Sequence, residues 1–303
     1  MNFTNQHNLP APLFRALCHD GYNAGTRKAD ISVTRLIAPP KQVTLMKRHE
    51  EELTEDASNR LYSLLGQSIH TVLERAVDAH SIAEERLYIE RDGWVITGQT
   101  DLYESDKTLS DFKVTSVYSF LLGEKEEWEN QLNLNAVLVE ETGLEVDKLQ
   151  IVAILRDWQA SKAAYDPYYP QAGVIVKQYE KWDKAKAEKY ISERIAQHKR
   201  AQDFADNDIP VCFPKERWAV ADSWAVMAEG GKKSSGKRST ETEAKKLLSE
   251  LSSKPANKKK SYKIEYRKGG DRKCESYCAA AKFCNYWQEH YADKESQEDV
   301  DSE

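Results

Sequence analysis

The residues best suited to chemistry in this 303-residue sequence lie on two consecutive strand-like runs. In the first run, Trp94 to Tyr103, strand alternation places Asp101 on one face. In the second, Thr108 to Thr115, the same alternation places Asp111 and Lys113 together. The sequence therefore predicts a hairpin that carries two carboxylates and an ammonium.

The connection between the two runs fixes how close the carboxylates come. A turn centred near Asp106 brings Asp101 almost opposite Asp111, where Cβ atoms lie about 4.5–5.5 Å apart. Carboxylates at that distance repel each other unless a cation lies between them, and hard divalent cations prefer carboxylate oxygens. Lys113 then projects beside the metal, where an ammonium stabilises a phosphate or helps to deprotonate a water. The alternative is an ordinary solvated face with surface Asp and Lys residues.

The elements around this hairpin predict an α/β fold with a mixed central sheet flanked by helices. A helix ending near His80 precedes three strands, and a further helix and a buried strand follow. The predicted bounds are a helix to His80, strands at Arg86–Glu90, Trp94–Tyr103 and Thr108–Thr115, a helix at Glu124–Glu141, strands at Leu149–Leu155 and Gly173–Tyr179, and a helix at Lys184–Ala205.

A set of polar residues extends the pattern on both sides of the hairpin. His70 closes the segment Gly66-Gln67-Ser68-Ile69-His70, Asp101 closes Gly98-Gln99-Thr100-Asp101, Asp111-Phe112-Lys113 follows, and Gln131 lies on the next predicted helix. In order, spacing and expected secondary structure, this pattern resembles the RecB-like branch of the PD-(D/E)xK nucleases. The resemblance implies a restriction-endonuclease-like core and hydrolysis of DNA with Mg²⁺ or Mn²⁺.

The resemblance also implies a role for each matching residue. His70, Asp101, Asp111 and Phe112 would form the metal site, and Lys113 would assist the attacking water. Gln131 would position water or the substrate strand. Asn135 departs from the pattern, because the family usually has tyrosine there, which leaves that contact in doubt. Glu74, one turn after His70, is a weaker candidate, for which a surface salt bridge is the alternative.

Other segments of the sequence, such as LQIVAILRDW, resemble those of phage-encoded exonucleases of this superfamily. We therefore expect a DNA exonuclease of phage or prokaryotic recombination, repair or replication, with a single-strand annealing or single-strand binding protein as a candidate partner. The alternatives are a CRISPR-adaptation nuclease and a non-catalytic DNA-binding module. A membrane-spanning run and a secretory signal are not seen, so the expected location is the cytoplasm, that of the host if phage-encoded.

Three cysteines near the C-terminus, Cys274, Cys278 and Cys284, have ligand-like spacing in a chain with five cysteines. The spacing is similar to the C-terminal motif of RecB-like nucleases that hold a [4Fe–4S] cluster, with one extra residue in the first gap. The resemblance implies such a cluster, with Zn²⁺ as the alternative, since four thiolates suit either. Three unligated cysteines on a helix remain the other interpretation.

A fourth ligand must come from Cys212 or Cys18. The family places its upstream cysteine in a Cys-Pro pair, and this chain has Pro39-Pro40 there. Cys212 is favoured because it opens the same C-terminal region as the other three. The cluster is expected to fix that region to the core and not to perform redox chemistry.

Charge is distributed unevenly, although the net charge is −6. From Glu229 to Lys273 there are fifteen Lys/Arg and six Asp/Glu, a local net charge of +9. Such a stretch favours phosphate contacts without sequence reading, and a solvated lysine-rich loop is the alternative. The candidate DNA-binding residues are Lys232, Lys233, Lys237, Arg238, Lys258, Lys259 and Lys260. Four flanking aromatics are candidates for base stacking or for packing: Trp218, Trp224, Tyr262 and Tyr266.

The composition is typical of a globular protein, and the sequence divides into four regions. The mean hydropathy is −0.73, and 31% of residues are charged. We predict an N-terminal segment packed on the core (1–46), the nuclease core (47–208), a basic cysteine-cluster region (209–292) and an acidic disordered tail (293–303).

Overall fold

The computed structural model describes residues 1–19, 27–78, 80–121, 126–231, 233–254 and 260–292. The chain divides into two compact units, Met1–Phe204 and Ala205–Glu303. Lys232, Lys258, Lys259 and the predicted tail 293–303 lie outside the described residues. No helix within the described ranges is both long enough and apolar enough to span a membrane.

The first unit has a central mixed sheet flanked by helices, as the sequence predicts. Its described strands are β1 (Asn2–Thr4), β2 (Ile31–Ser32), β3 (Thr54–Asp56), β4 (Ile82–Arg91), β5 (Trp94–Tyr103), β6 (Thr108–Thr115), β7 (Lys148–Leu155) and β8 (Val174–Tyr179). Its described helices are α1 (Ala11–Cys18), α2 (Val33–Ile37), α3 (Pro40–Arg48), α4 (Leu61–Glu74), α5 (Val117–Leu121), α6 (Glu126–Glu140), α7 (Ala160–Tyr165) and α8 (Lys184–Asp203).

The central sheet runs β5-β6-β7-β8, and β2 and β4 also pair with β5. Strand β4 lies along one edge of β5, and β2 and β6 share its other edge. The β6–β7 pair is parallel, whereas β4–β5, β5–β6 and β7–β8 are antiparallel. A separate parallel pair joins β1 to β3. The parallel β6–β7 pair requires a crossover, and α6 lies within it.

One edge of β5 is shared between two strands. Its first half pairs with β2, at Ile96 and Thr97, and its last two residues pair with β6, at Leu102 and Tyr103. In these registers residues 98–101 have no ladder partner on that edge. The sheet therefore opens at Asp101, between β5 and β6.

Helix α6 packs closely on the opening in the sheet because β5 has a glycine there. A Cβ on Gly98 would lie 2.5 Å from Oδ1 of Asn135 and 3.1 Å from Cδ2 of Leu138, both on α6. The Nδ2 of Asn135 donates to the carbonyl of Gln99. Asn135 is buried and packs the helix against the strand.

The sequence predicts most of these elements, with three corrections. The helix expected to reach His80 ends at Glu74. It contains no buried residue, and its apolar stripe is partly exposed, at Leu61 and Val72 among others. The strand expected to be fully buried, β7, alternates between buried and half-buried residues, because only one of its faces lies in the core.

The second unit combines a small sheet with the cysteine segment. Its described strands are β9 (Ala219–Val220), β10 (Ser223–Ala228), β11 (Ser234–Arg238), β12 (Tyr262–Arg267) and β13 (Gly270–Asp271), and its helices are α9 (Glu241–Ser253), α10 (Arg272–Ser276) and α11 (Asn285–His290). The order β11-β10-β12 is antiparallel throughout, and β9 pairs with β13.

A buried carboxylate organises the region around the cysteines. Oδ2 of Asp271 accepts hydrogen bonds from the hydroxyls of Tyr286 and Tyr291, at 2.7 and 3.0 Å, and pairs with Nε of Arg217 at 3.1 Å. The guanidinium of Arg217 also donates to the carbonyl of Cys212. These contacts connect Cys212 with the segment that carries the other three cysteines.

Candidate active site

Asp101 and Asp111 occupy the opening between β5 and β6. The strands pair one step away, so the register places the two residues opposite each other, as the sequence predicts. Oδ2 of Asp101 accepts the backbone N–H of Phe112 at 2.7 Å. The Asp101 carboxylate thus accepts a hydrogen bond from a backbone N–H of β6 that has no partner in the β5–β6 ladder. Asp111 is 2% exposed.

Lys113 lies beside Asp111 and is held from the helix above. Its Nζ is 2.6 Å from Oδ2 of Asp111 and donates to Oε1 of Gln131 at 2.9 Å. Gln131 is on α6, so the helix fixes the position of the ammonium. Of the sequence-derived candidates, Asp111, Lys113 and Gln131 therefore form one connected set.

His70 reaches the same region from α4. Its Nδ1 is 3.7 Å from Oδ1 of Asp101 and 2.9 Å from Oε1 of Glu84. The ring also meets the Phe112 ring edge-on, with centroids 6.3 Å apart. Glu74, the weaker candidate, is exposed at the end of α4.

The electrostatics of the site follow from burial and from crowding of like charges. Burial, and then the negative charge of Asp111, raise the pKa of Asp101 to about 7. The hydrogen bond to Glu84 raises the pKa of His70, although burial acts in the opposite direction. Two carboxylates held this close are stabilised by positive charge.

Both carboxylate oxygens of Asp111 are buried and accept no hydrogen bond from the described residues, although Lys113 lies beside one of them. Buried carboxylate oxygens normally have hydrogen-bond or metal partners. The side chains of Asp101, Asp111 and His70 are donors that hard or borderline divalent cations accept. The residues present therefore fit a divalent cation.

Glu84 is the residue of this region that sequence reasoning missed. The residues that turn β4 into β5, Asp92 and Gly93, have φ of 50° and 72°, the left-handed conformation of a type I′ hairpin turn. That turn pairs Arg91 with Trp94, and counting back along both strands places Glu84 opposite Asp101. The Asp-Gly pair is visible in the sequence, so this register was predictable.

Burial and neighbouring thiols raise the pKa of cysteines in the second unit. Burial raises the pKa of Cys212 to about 12, and the charges of Cys278 and Cys284 contribute. Burial also raises the pKa of Cys274 to about 12, with contributions from Cys278, Cys212 and Cys284. No three of these sulfurs lie mutually within 4.8 Å. Cys18, the other candidate, is on α1 in the first unit.

The described basic candidates are exposed on or beside the three-stranded sheet of the second unit. Lys237 and Arg238 end β11, Lys233 precedes it, and Lys260 precedes β12. Two of the four aromatics pack on each other, since the rings of Trp224 and Tyr266 are 5.2 Å apart.

No family model matches the chain, and no curated protein matches it significantly. Among solved structures, the chain is similar to SSO0001, with 18% identity, 61% of this chain and 81% of that chain covered, and a TM-score of 0.41. It is also similar to the alkaline exonuclease LHK-Exo from Laribacter hongkongensis, with 11% identity, 57% and 89% coverage, and a TM-score of 0.37. Both similarities are remote, so the chemistry of the site rests on its own geometry.

Proposed function

We propose that this protein hydrolyses phosphodiester bonds in DNA with a divalent cation, Mg²⁺ or Mn²⁺, as an exonuclease. One observation carries the proposal: two carboxylates, Asp101 and Asp111, face each other in an opening of the sheet, beside a lysine that Gln131 holds in place. Among the described residues, the buried Oδ1 of Asp111 accepts no hydrogen bond, and Oδ2 has the Lys113 ammonium beside it.

The chemistry assigns a separate task to each group. A bound divalent cation lowers the pKa of water and stabilises negative charge on phosphate oxygens. Asp101, Asp111 and His70 would supply donor atoms for it, and Phe112 would contribute through its backbone carbonyl oxygen. The Lys113 ammonium lies where it can donate to a phosphate oxygen or to the attacking water. Water would add to phosphorus and lose a proton, the bond to the leaving nucleoside oxygen would break, and that oxygen would take up a proton, so that one proton passes in net from water to the leaving group.

Digestion of DNA by variants tests this assignment. We expect Asp111→Asn and Lys113→Met to slow hydrolysis by roughly a hundredfold or more, since each removes a group from the reacting region. Lys107→Met is the matched control, because Lys107 is an exposed lysine on the same hairpin that pairs with Glu145. Digestion of linear but not circular duplex is expected of an exonuclease. Unchanged digestion by Asp111→Asn would contradict the site.

We also infer that Cys212, Cys274, Cys278 and Cys284 hold a metal group, and that it is a [4Fe–4S] cluster. No three of their sulfurs lie mutually within 4.8 Å, a separation that favours a cluster of four irons over a single Zn²⁺ bonded to each sulfur at about 2.3 Å. Its role would be structural, since it joins segments that are distant in sequence.

Metal content distinguishes these possibilities. Anaerobically purified protein should contain iron and acid-labile sulfide in equal amounts, with broad visible absorbance, and Cys212→Ser should lose both. Cys18→Ser is the matched control and should keep them. Zinc in place of iron, or loss in Cys18→Ser and not in Cys212→Ser, would refute the inference.

We propose that DNA phosphates are contacted by the exposed basic residues Lys233, Lys237, Arg238 and Lys260. Each phosphate contact contributes about 0.9 to the slope of log affinity against log salt on duplex DNA. Lys237→Gln with Arg238→Gln should weaken binding at all sequences equally and reduce that slope by about 2. An unchanged slope would assign these residues to a solvated surface.

A further inference from the structure

Glu84 joins His70 and Asp101 in a group of three potential metal ligands. One donor atom from each side chain lies within 4.8 Å of the other two. Atoms bound to one Mg²⁺ are at most roughly 4.2 Å apart, twice the usual bond length, so small side-chain shifts would bring all three onto one cation. The three residues come from α4, β4 and β5, and the β4–β5 register places Glu84 opposite Asp101.

A chain of hydrogen bonds fixes the direction of the Glu84 carboxylate. Gln99 donates to its Oε2 at 2.5 Å, and Arg86 in turn donates to Oε1 of Gln99 at 2.8 Å. The other oxygen, Oε1, is thereby directed at Nδ1 of His70, 2.9 Å away. Glu84 has a φ of 53°, so the backbone adopts a left-handed conformation at this position.

An independent observation points to a cation beside this group. Asp111 is 2% exposed, its Oδ1 accepts no hydrogen bond from the described residues, and its Oδ2 has the Lys113 ammonium at 2.6 Å. The β5–β6 register places Asp111 opposite Asp101, a member of the group. Three carboxylates thus crowd one region, and Lys113 contributes one positive charge.

We propose that Glu84 is a direct ligand of the divalent cation, together with His70 and Asp101. This inference rests on the proposed function, which needs a cation there but assigns Glu84 no part in it. The imidazole in this donor set favours Mn²⁺ over Mg²⁺, because Mg²⁺ prefers oxygen ligands. The alternative role for Glu84 is to position His70 by a hydrogen bond without touching the cation.

Calorimetric titration of the full chain with Mn²⁺ tests the proposal without an activity assay. We expect Glu84→Gln to raise the Kd for Mn²⁺ by at least roughly tenfold. The amide oxygen of Gln still accepts a hydrogen bond from His70, so a positioning residue would tolerate this change and a ligand would not. Glu85→Gln is the matched control, because Glu85 is the exposed neighbour on the same strand and should leave the Kd within twofold.

Two further variants make each outcome decisive. Glu84→Asn also removes the charge, and Asn tolerates a positive φ, so it substitutes if Glu84→Gln does not fold. Asp101→Asn reports on the proposed function itself. If Asp101→Asn weakens Mn²⁺ binding and neither Glu84 variant does, Glu84 is not a ligand and the nuclease proposal survives. If the wild type does not bind Mn²⁺, both proposals fail.

Discussion

At the scale of single residues, the site depends on side chains that are held in place by neighbouring side chains and backbone groups. Lys113 is fixed between Asp111 and Gln131, and Asp101 is fixed by the backbone N–H of Phe112. A long lysine side chain loses considerable rotamer entropy when it is held in one position. The amide of Gln131 provides part of the compensating energy, so its contribution to the proposed reaction should be measurable.

Replacement of Gln131 by Met isolates that contribution. Met has a similar volume and no strong acceptor, so the ammonium of Lys113 loses its partner on α6. Hydrogen bonds to charged groups contribute about 1.5–3 kcal/mol, and we expect the single-turnover rate of DNA hydrolysis to fall by roughly tenfold to a hundredfold. The Kd for Mn²⁺ should change little. A normal rate, or a rate loss explained entirely by weaker Mn²⁺ binding, would contradict this role.

At the scale of elements, the close approach of α6 to β5 determines the geometry of the opening. The Cβ of a residue at position 98 would collide with Asn135, Val33 and Leu138. Asn135 is buried and bonded to the backbone of β5, so it has little freedom to move aside. Gly98 is therefore required by packing, within the same motif that ends in Asp101.

Two glycine substitutions should have opposite effects on stability. Gly98→Ala overpacks the contact with α6 and should lower the free energy of unfolding by about 1–3 kcal/mol. Gly66→Ala, within α4, meets no atom within 4 Å and should raise it by up to about 1 kcal/mol, through helix propensity. Denaturant unfolding measures both. Equal effects of the two changes would argue against the described α6–β5 contact.

Helix α8 contains a histidine that should make stability depend on pH. His198 is buried, and its Nε2–H donates to the carbonyl of Leu36 at 3.0 Å. Burial, assisted by the charge of Arg194, lowers its pKa to about 4. The unfolded chain takes up a proton near pH 6.5. The stabilisation by neutral His198 is therefore complete above pH 6.5 and is lost as the pH falls from 6.5 towards 4.

We expect this loss to reach roughly 3 kcal/mol in the free energy of unfolding, from about 1.4 kcal/mol per pKa unit. The measurement is denaturant unfolding between pH 7 and 4 for the wild type and His198→Gln. The variant should be less stable at pH 7 and should lack this part of the pH dependence. His80→Gln, at an exposed histidine, should keep it. If the free energy of unfolding of His198→Gln depended on pH as steeply as that of the wild type, a group other than His198 would be responsible.

At the scale of the whole molecule, two compact units carry different proposed metal sites. The first unit contains the carboxylate site. The second contains the four cysteines and the buried Asp271 with its hydrogen-bond partners. In the part of the second unit that the structure describes, the sheets have three and two strands and the longest helix has 13 residues, so its own hydrophobic core is limited. A structural metal is a common means of stabilising such units.

Removal of the cysteine-bound metal should therefore affect one unit selectively. The metal is removed with a chelator, anaerobically and without denaturant. We then expect amide hydrogen exchange to accelerate around Asp271, Tyr286 and Tyr291, whereas the β6–β7 pair should keep its protection. Ser substitution of Cys274 should reproduce the pattern. Uniform loss of protection in both units, or no change in either, would show that the cysteines do not stabilise the second unit in this way.

The sequence by itself determined the hairpin and its register, because strand alternation and a short polar turn place Asp101 opposite Asp111 with little freedom. It also identified Lys113 and Gln131, but not that Gln131 holds Lys113, since that contact depends on how α6 crosses the sheet. The tertiary structure alone decided that the sheet opens at Asp101, because β2, distant in sequence, pairs with β5 and displaces β6. It likewise brought Glu84 to His70, through side-chain directions that a residue pattern does not contain.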